Sequence, residues 1–373
     1  FGLYRVLGDE YQASRCIRSC RKELPEIADV HLRMALEGVT DCSEGTLEYR
    51  RGEYGRLLEL YLCDDLHVAR ERFDRQFPGA RAKALQLLQA GERKLHQALA
   101  FWEKQLGVQT SVCEPEKACL QALIKKYLKK LGEVEFRIGE LLMINEQFED
   151  SDGHEGSLSY LKKAIMHTHQ GGDTQWRDAY RYDNAIQSYL NALYFAGKYD
   201  DPAYIPERIQ YEQYLDTQWR DQQRFDDKLR APAQPIFPAI MSRFRIMQGD
   251  VLFSNYFQLK DAKALTEEAR YTRRGKPNVP TLRTMLRYYV EACNFMAQHS
   301  ATNFASAVRV LQRRIRLIAD REALEVIQKG LHDVWQDQPY LKDAKGEELE
   351  TLFQFARIRS IMIEDEENQS KPK

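Results

Sequence analysis

The chain contains no run of about 18 apolar residues, the length a helix needs to cross a bilayer, and its first residues, Phe1-Gly2-Leu3-Tyr4, lack the basic-then-apolar pattern of a signal peptide. Membrane insertion and secretion are therefore not expected. Strand-like alternation of Val, Ile and Thr is almost missing, which leaves little material for a sheet. Catalytic signatures are missing as well. The sequence has no Gly-x-x-x-x-Gly-Lys loop, no Cys-x-x-Cys pair and no His-Glu-x-x-His helix, so phosphate-loop, zinc-ribbon and zincin chemistry have no support. Gly-x-Ser-x-Gly is absent too, and no serine stands on a strand-turn-helix pattern of the kind a nucleophile elbow requires.

Cysteine is sparse and scattered: seven residues, at Cys16, Cys20, Cys42, Cys63, Cys113, Cys119 and Cys293. An odd count suits reduced thiols in a cytosol better than a disulfide framework, and free cysteine packs readily as a small apolar residue. Cys16 and Cys20 share a helical face beside Arg15, Arg18, Arg21 and Lys22, cations that lower a thiol pKa, but plain packing is the favoured reading. No local pattern pairs a thiol with an oriented imidazole. His167-Thr168-His169 with Asp173 is the densest metal-like grouping, yet helical positions two apart point in different directions. The sequence thus assigns no catalytic residue, no metal and no cofactor, and the chain is expected not to be an enzyme.

What is present is helical. Hydrophobic residues make up 43% and charged residues 30%, enough for a sizeable core under a solvated surface. Lys+Arg 55 against Asp+Glu 56 leaves a net charge of -1, so any preference for an anionic partner must come from local patches. Apolar residues recur at three and four in Leu57, Leu58, Tyr61 and Leu62, in Ala84, Leu85 and Leu88, and in Leu95, Leu99 and Trp102, each set a stripe for a neighbouring helix. Phe77-Pro78-Gly79 marks a turn, after which one long helix is expected from Ala80 to Leu106. A loop at 107–115 then gives way to a helix from Glu116 to Leu131, with Pro115 near its first turn. Lys125, Lys126, Lys129 and Lys130 crowd the end of that segment, where the helix macrodipole favours cations. Residues 1–115 are read as an N-terminal helical region.

Beyond it, Glu135-Phe136-Arg137-Ile138-Gly139-Glu140-Leu141-Leu142 and Leu158-Ser159-Tyr160-Leu161-Lys162-Lys163-Ala164-Ile165 form two amphipathic segments separated by a polar insert at 150–156. This pattern resembles the tetratricopeptide family, whose helix pairs meet closely at small residues. Further candidates are Leu193, Gly197, Tyr199 and Ala203, where Pro202 and Pro206 remove the second helix start; Gly249, Leu252, Phe253, Ala262 and Ala269; and Tyr288 to Ala297 followed by Phe304 to Leu317. The resemblance implies an all-α, irregular array of helical hairpins over residues 116–363 with a concave protein-binding surface. The three prolines of Arg230 to Pro238 mark a connector pinned by Ile236 and Phe237. Residues 364–373 are read as a polar acidic tail or linker, and a start at Phe1 suits a piece of a longer protein.

The sharpest electrostatic feature is Arg309-Val310-Leu311-Gln312-Arg313-Arg314-Ile315-Arg316. Helical spacing puts Arg309, Arg313 and Arg316 on one stripe and Val308, Leu311, Ile315 and Ile318 on another that enters the core. Arg273 and Arg274 add a basic loop, and Tyr182, Tyr204 and Tyr211 adjoin charged or loop residues; for these tyrosines interface and core readings stand even. The leading expectation is a cytoplasmic scaffold that binds and regulates a protein partner. Nucleic-acid binding through the Arg309/Arg313/Arg316 stripe is the alternative, and a cryptic cysteine hydrolase the second. The all-helical character, reduced thiols and charged end also resemble, with no residue motif, the N-terminal part of the accessory protein cleaved by the type III-E CRISPR protease. That resemblance implies antiviral defence and, as partner, an extracytoplasmic-function sigma factor or the protease.

Overall fold

The computed structural model describes residues 10–51, 71, 74, 75, 77–108, 114–151, 153–172, 180–229, 236–258, 278–297, 301–341 and 346–369. Among them are 12 helices and no strand, so the fold is all-α. In chain order these are α1 (Glu10–Glu23), α2 (Val30–Arg51), α3 (Ala80–Val108), α4 (Glu114–Ile144), α5 (Ser157–Gln170), α6 (Tyr180–Phe195), α7 (Ile205–Leu229), α8 (Ile236–Tyr256), α9 (Val279–Ala297), α10 (Ala301–Leu317), α11 (Arg321–Gln336) and α12 (Gly346–Gln369). None is long and apolar enough to cross a membrane. The chain divides into two compact units, parting between Ala192 and Leu193. Residue 115, near which the N-terminal helical region was expected to end, lies at the start of α4, which packs on α3 inside the first unit.

In the first unit the expected stripe Leu88, Leu95, Leu99 and Trp102 is buried, meeting Tyr127, Leu131 and Ile138 of α4, with the Trp102 and Tyr127 rings 5.1 Å apart. Helices α2 and α3 approach so closely that a Cβ on Gly91 would lie 2.3 Å from Cys42 Sγ and 2.6 Å from the Gly38 carbonyl oxygen. Ion pairs flank this crossing, Lys94 to Asp41 at 2.7 Å and Lys83 to Glu48 at 2.6 Å. The two helices expected at 116–131 and 135–142 are one 31-residue helix. Gly132 does not break it, because Leu131, Val134 and Ile138 continue a single buried stripe and Gly132 itself lies against Thr168 of α5. Lys129 and Lys130 therefore stand mid-helix, away from any macrodipole terminus, and Lys130 pairs with Glu133 at 3.2 Å.

The hairpin expected across the polar insert is present as α4 and α5. Gly139 is its close contact, since a Cβ there would come within 2.7 Å of Leu161, and the Ser157 hydroxyl donates to the Gly139 carbonyl at 2.8 Å.

In the second unit α9 packs on α8, α10 and α11, while α12 covers α10 and α11. Pro206 does not prevent a helix after α6: it occupies the first turn of α7, where its missing N–H has no intrahelical acceptor to lose. Residues 230–235 and the later half of the third candidate hairpin, Ala262 and Ala269, lie outside the described residues; Ile236 and Phe237 begin α8. The acidic segment read as a tail from 364 continues α12 as far as Gln369.

Gly91→Ala is expected to destabilise the protein by about 1–3 kcal/mol, because a new methyl group has no room between α2 and α3. Gly107→Ala, whose Cβ meets nothing within 4 Å, is expected to be neutral or stabilising by roughly 0.5 kcal/mol. Urea unfolding of both variants checks this, and a similar loss in each would contradict the packing argument.

Candidate functional site

Helix α10 buries Phe304, Ala307, Val308, Leu311 and Ile315, followed by Ile318, which places the expected apolar stripe in the core. The opposite side leaves Arg309 and Arg316 exposed and Arg313 half-buried. Helix α12 lies alongside, and between the two runs a groove of about 460 Å3 lined by Arg309, Gln312, Arg313 and Arg316 from α10 and by Phe355, Arg359 and Met362 from α12. Four arginines thus face one concavity that no described carboxylate lines. Like charges gathered in a concave surface raise the local potential and attract anions. The α12 side is also apolar at the surface, with Ile358 56%, Ile361 49% and Met362 47% exposed.

Arg314, inside the same basic run, has a different role. It is 1% exposed and pairs with Asp250 through two bonds, Nε to Oδ1 at 2.6 Å and a terminal nitrogen to Oδ2 at 2.9 Å. The Tyr289 hydroxyl donates to the same Asp250 oxygen at 2.6 Å, and burial pushes that phenol well above its ordinary pKa. Gly249 makes room for the arrangement, since a Cβ there would meet the Tyr289 ring at 2.7 Å.

Tyr182, Tyr204 and Tyr211 are not among the residues that line the groove. Tyr182 is half-buried in the first unit, its ring 5.7 Å from that of His169. Tyr204 precedes α7, its backbone N–H donating to the Asp201 carbonyl, and Tyr211 on α7 donates to Glu207 at 3.3 Å. Arg273 and Arg274 lie outside the described residues. Sequence reasoning missed Phe355, Arg359 and Met362; their spacing of four and three was the available signal.

A second cluster lies in the first unit. Glu92 and His96 stand one turn apart on α3, Glu135 projects from α4 and His167 from α5, and the donor atoms of Glu92, His96 and Glu135 all lie within 4.8 Å of one another. His96 Nε2 is 3.5 Å from Glu92 Oε1 and 3.4 Å from Glu135 Oε1. The other oxygen of each carboxylate is engaged: Glu135 Oε2 meets His167 Nδ1 at 2.7 Å, and Glu92 Oε2 accepts from the Tyr160 hydroxyl at 3.4 Å. The neighbouring Glu135 carboxylate, then that of Glu92, push the His96 imidazole up to about 9, against the opposing effect of burial. His167 and His169 do diverge as expected, and Asp173 lies outside the described residues. The partners His167 does find come from other helices, which no local motif announces.

Cys42 and Cys293 are buried, and desolvation pushes both thiols up to about 12, the reverse of the depressed value a nucleophile needs. Cys16 is half-buried, Cys20 and Cys119 are exposed, and all five of these described thiols are outside disulfides.

No protein-family model, curated protein or solved structure matches the chain significantly.

Arg314→Ala is expected to cost about 3–5 kcal/mol, because it strands the buried Asp250 carboxylate. Arg316→Ala, two positions away on the exposed stripe, should stay within about 0.5 kcal/mol. Thermal unfolding compares them, and equal losses would count against the division of this helix into a buried and a solvent-facing arginine.

Proposed function

We propose that the chain is a non-enzymatic helical scaffold that binds and regulates a protein partner by holding an acidic, amphipathic segment in the α10–α12 groove. The observation that carries this reading is the meeting of Arg309, Arg313, Arg316 and Arg359 in one groove with Phe355 and Met362 on its wall. Guanidinium forks pair with carboxylates through two parallel bonds, while the apolar wall and the exposed Ile358 and Ile361 favour a segment with its own apolar anchors over a bare phosphate chain. Sequestration in this way suits a cytoplasmic regulator, and the CRISPR accessory resemblance proposes a sigma factor, or the protease itself, as the partner.

The test uses the full chain and the triple variant Arg309→Glu, Arg313→Glu, Arg316→Glu as baits in the host lysate. A protein held only by the wild type is identified, its acidic segment synthesised, and its affinity measured by fluorescence anisotropy at low salt. The variant is expected to keep its helical circular dichroism and to bind more than tenfold more weakly, a loss of more than about 1.4 kcal/mol. Unchanged affinity of that segment for the variant would sink the proposal. Capture of nucleic acid alone, with an affinity falling steeply as salt rises, would favour phosphate recognition instead.

A further inference from the structure

The Glu92, His96 and Glu135 cluster has a geometry that a proton alone does not explain. The two carboxylate oxygens flank His96 Nε2 at 3.5 and 3.4 Å, whereas a charge-assisted N–H···O bond is about 2.7–2.9 Å long. A single Nε2 proton also points at one acceptor, not two. Glu135 is 0% exposed, and its Oε1, the oxygen facing His96, has no hydrogen-bond partner in the structure. Apart from the His96 imidazole at 3.4 Å, this buried oxygen has no neighbour to satisfy it. Around a four-coordinate ion with bonds of about 2.0–2.1 Å, neighbouring ligand atoms are roughly 3.3–3.4 Å apart. The two separations from His96, 3.5 and 3.4 Å, are close to that edge length, and the two carboxylate oxygens lie within 4.8 Å of each other.

The outer partners follow the same logic. Each carboxylate turns one oxygen toward His96 and gives the other to an orienting group, Tyr160 for Glu92 and His167 for Glu135. Such outer contacts fix the direction of metal ligands and are a regular feature of protein metal centres.

We propose that Glu92 Oε1, His96 Nε2 and Glu135 Oε1 bind a divalent first-row transition-metal ion, with Tyr160 and His167 as the positioning groups and a fourth position left open. Two carboxylates neutralise the dication, and imidazole with carboxylate suits Zn2+, Mn2+ or Fe2+ rather than Ca2+ or Mg2+. The His96 side chain is 41% exposed, which provides the entry side and the place for a water or substrate ligand. This departs from the expectation of no metal, and it does not depend on the groove of the second unit.

The experiment titrates the EDTA-treated full chain, its accessible thiols blocked with iodoacetamide so that Cys20 and Cys119 take up no metal, with Zn2+, reading stoichiometry and affinity by calorimetry. One equivalent is expected to bind. His96→Ala, at a half-open position, should fold normally and weaken binding by about 100-fold or more, and Tyr160→Phe by about tenfold. Substitution with Co2+ should give the intense visible bands of a four-coordinate site in the wild type and lose them in His96→Ala. Failure of the wild type to take up one equivalent, or equal affinity in His96→Ala, would overturn the proposal, the latter by placing the ion elsewhere on the surface.

Discussion

The described helices that pack in pairs depend on one another to cover their apolar faces. Most helical stability in proteins comes from packing an amphipathic face, since nucleation is costly and propagation gains little per residue. The stripes on α3, α4 and α10 therefore have structural meaning only where a second stripe meets them. Close approach sharpens that dependence. Where Gly91 faces Cys42 and where Gly139 faces Leu161, the backbones come near enough that one extra carbon would not fit. Small residues here act through the space they leave rather than through their own conformational preferences.

The same close packing governs the charged groups. A charge trapped between packed helices needs a partner of opposite sign and good geometry, because desolvation otherwise outweighs any attraction. Arg314 and Asp250 meet this requirement through two short bonds, with Tyr289 filling a further acceptor site on Asp250. In the first unit Glu135 meets it with looser geometry: Oε2 has His167 at 2.7 Å, and Oε1 faces the His96 imidazole at 3.4 Å without a hydrogen bond of normal length. The contrast explains why the two clusters are read differently. One is a closed contact that holds α8, α9 and α10 together, and the other is an arrangement with a coordination position left over.

The α10 helix shows how one short basic run is divided between two faces. Its basic run has residues on both sides of the helix, so Arg314 points into the core while Arg309 and Arg316 face solvent. The groove beside them exists because α12 lies along α10 and contributes Arg359 and Phe355. Neither helix alone presents it.

The helical class and the burial of particular stripes were legible in the sequence, because a period of 3.6 residues is a local property: Val308, Leu311 and Ile315 could be assigned to the core from spacing alone, and Arg309 and Arg316 to a separate stripe, whose exposure the packing decided. The hairpin of α4 and α5 was legible for a related reason, the small Gly139 opposite a large Leu161 on either side of a polar insert. The continuity of α4 was not, since Gly132 lowers helix propensity and only the packing of Thr168 against it shows why the helix persists. Pro206 misled in the same way, because proline's effect depends on whether it stands in a first turn or an interior one. The groove and the Glu92–His96–Glu135 cluster were decided by tertiary structure. The cluster draws its residues from α3 and α4 and the groove from α10 and α12, and the distances between side chains on separate helices follow from how those helices pack, a quantity that no local spacing encodes.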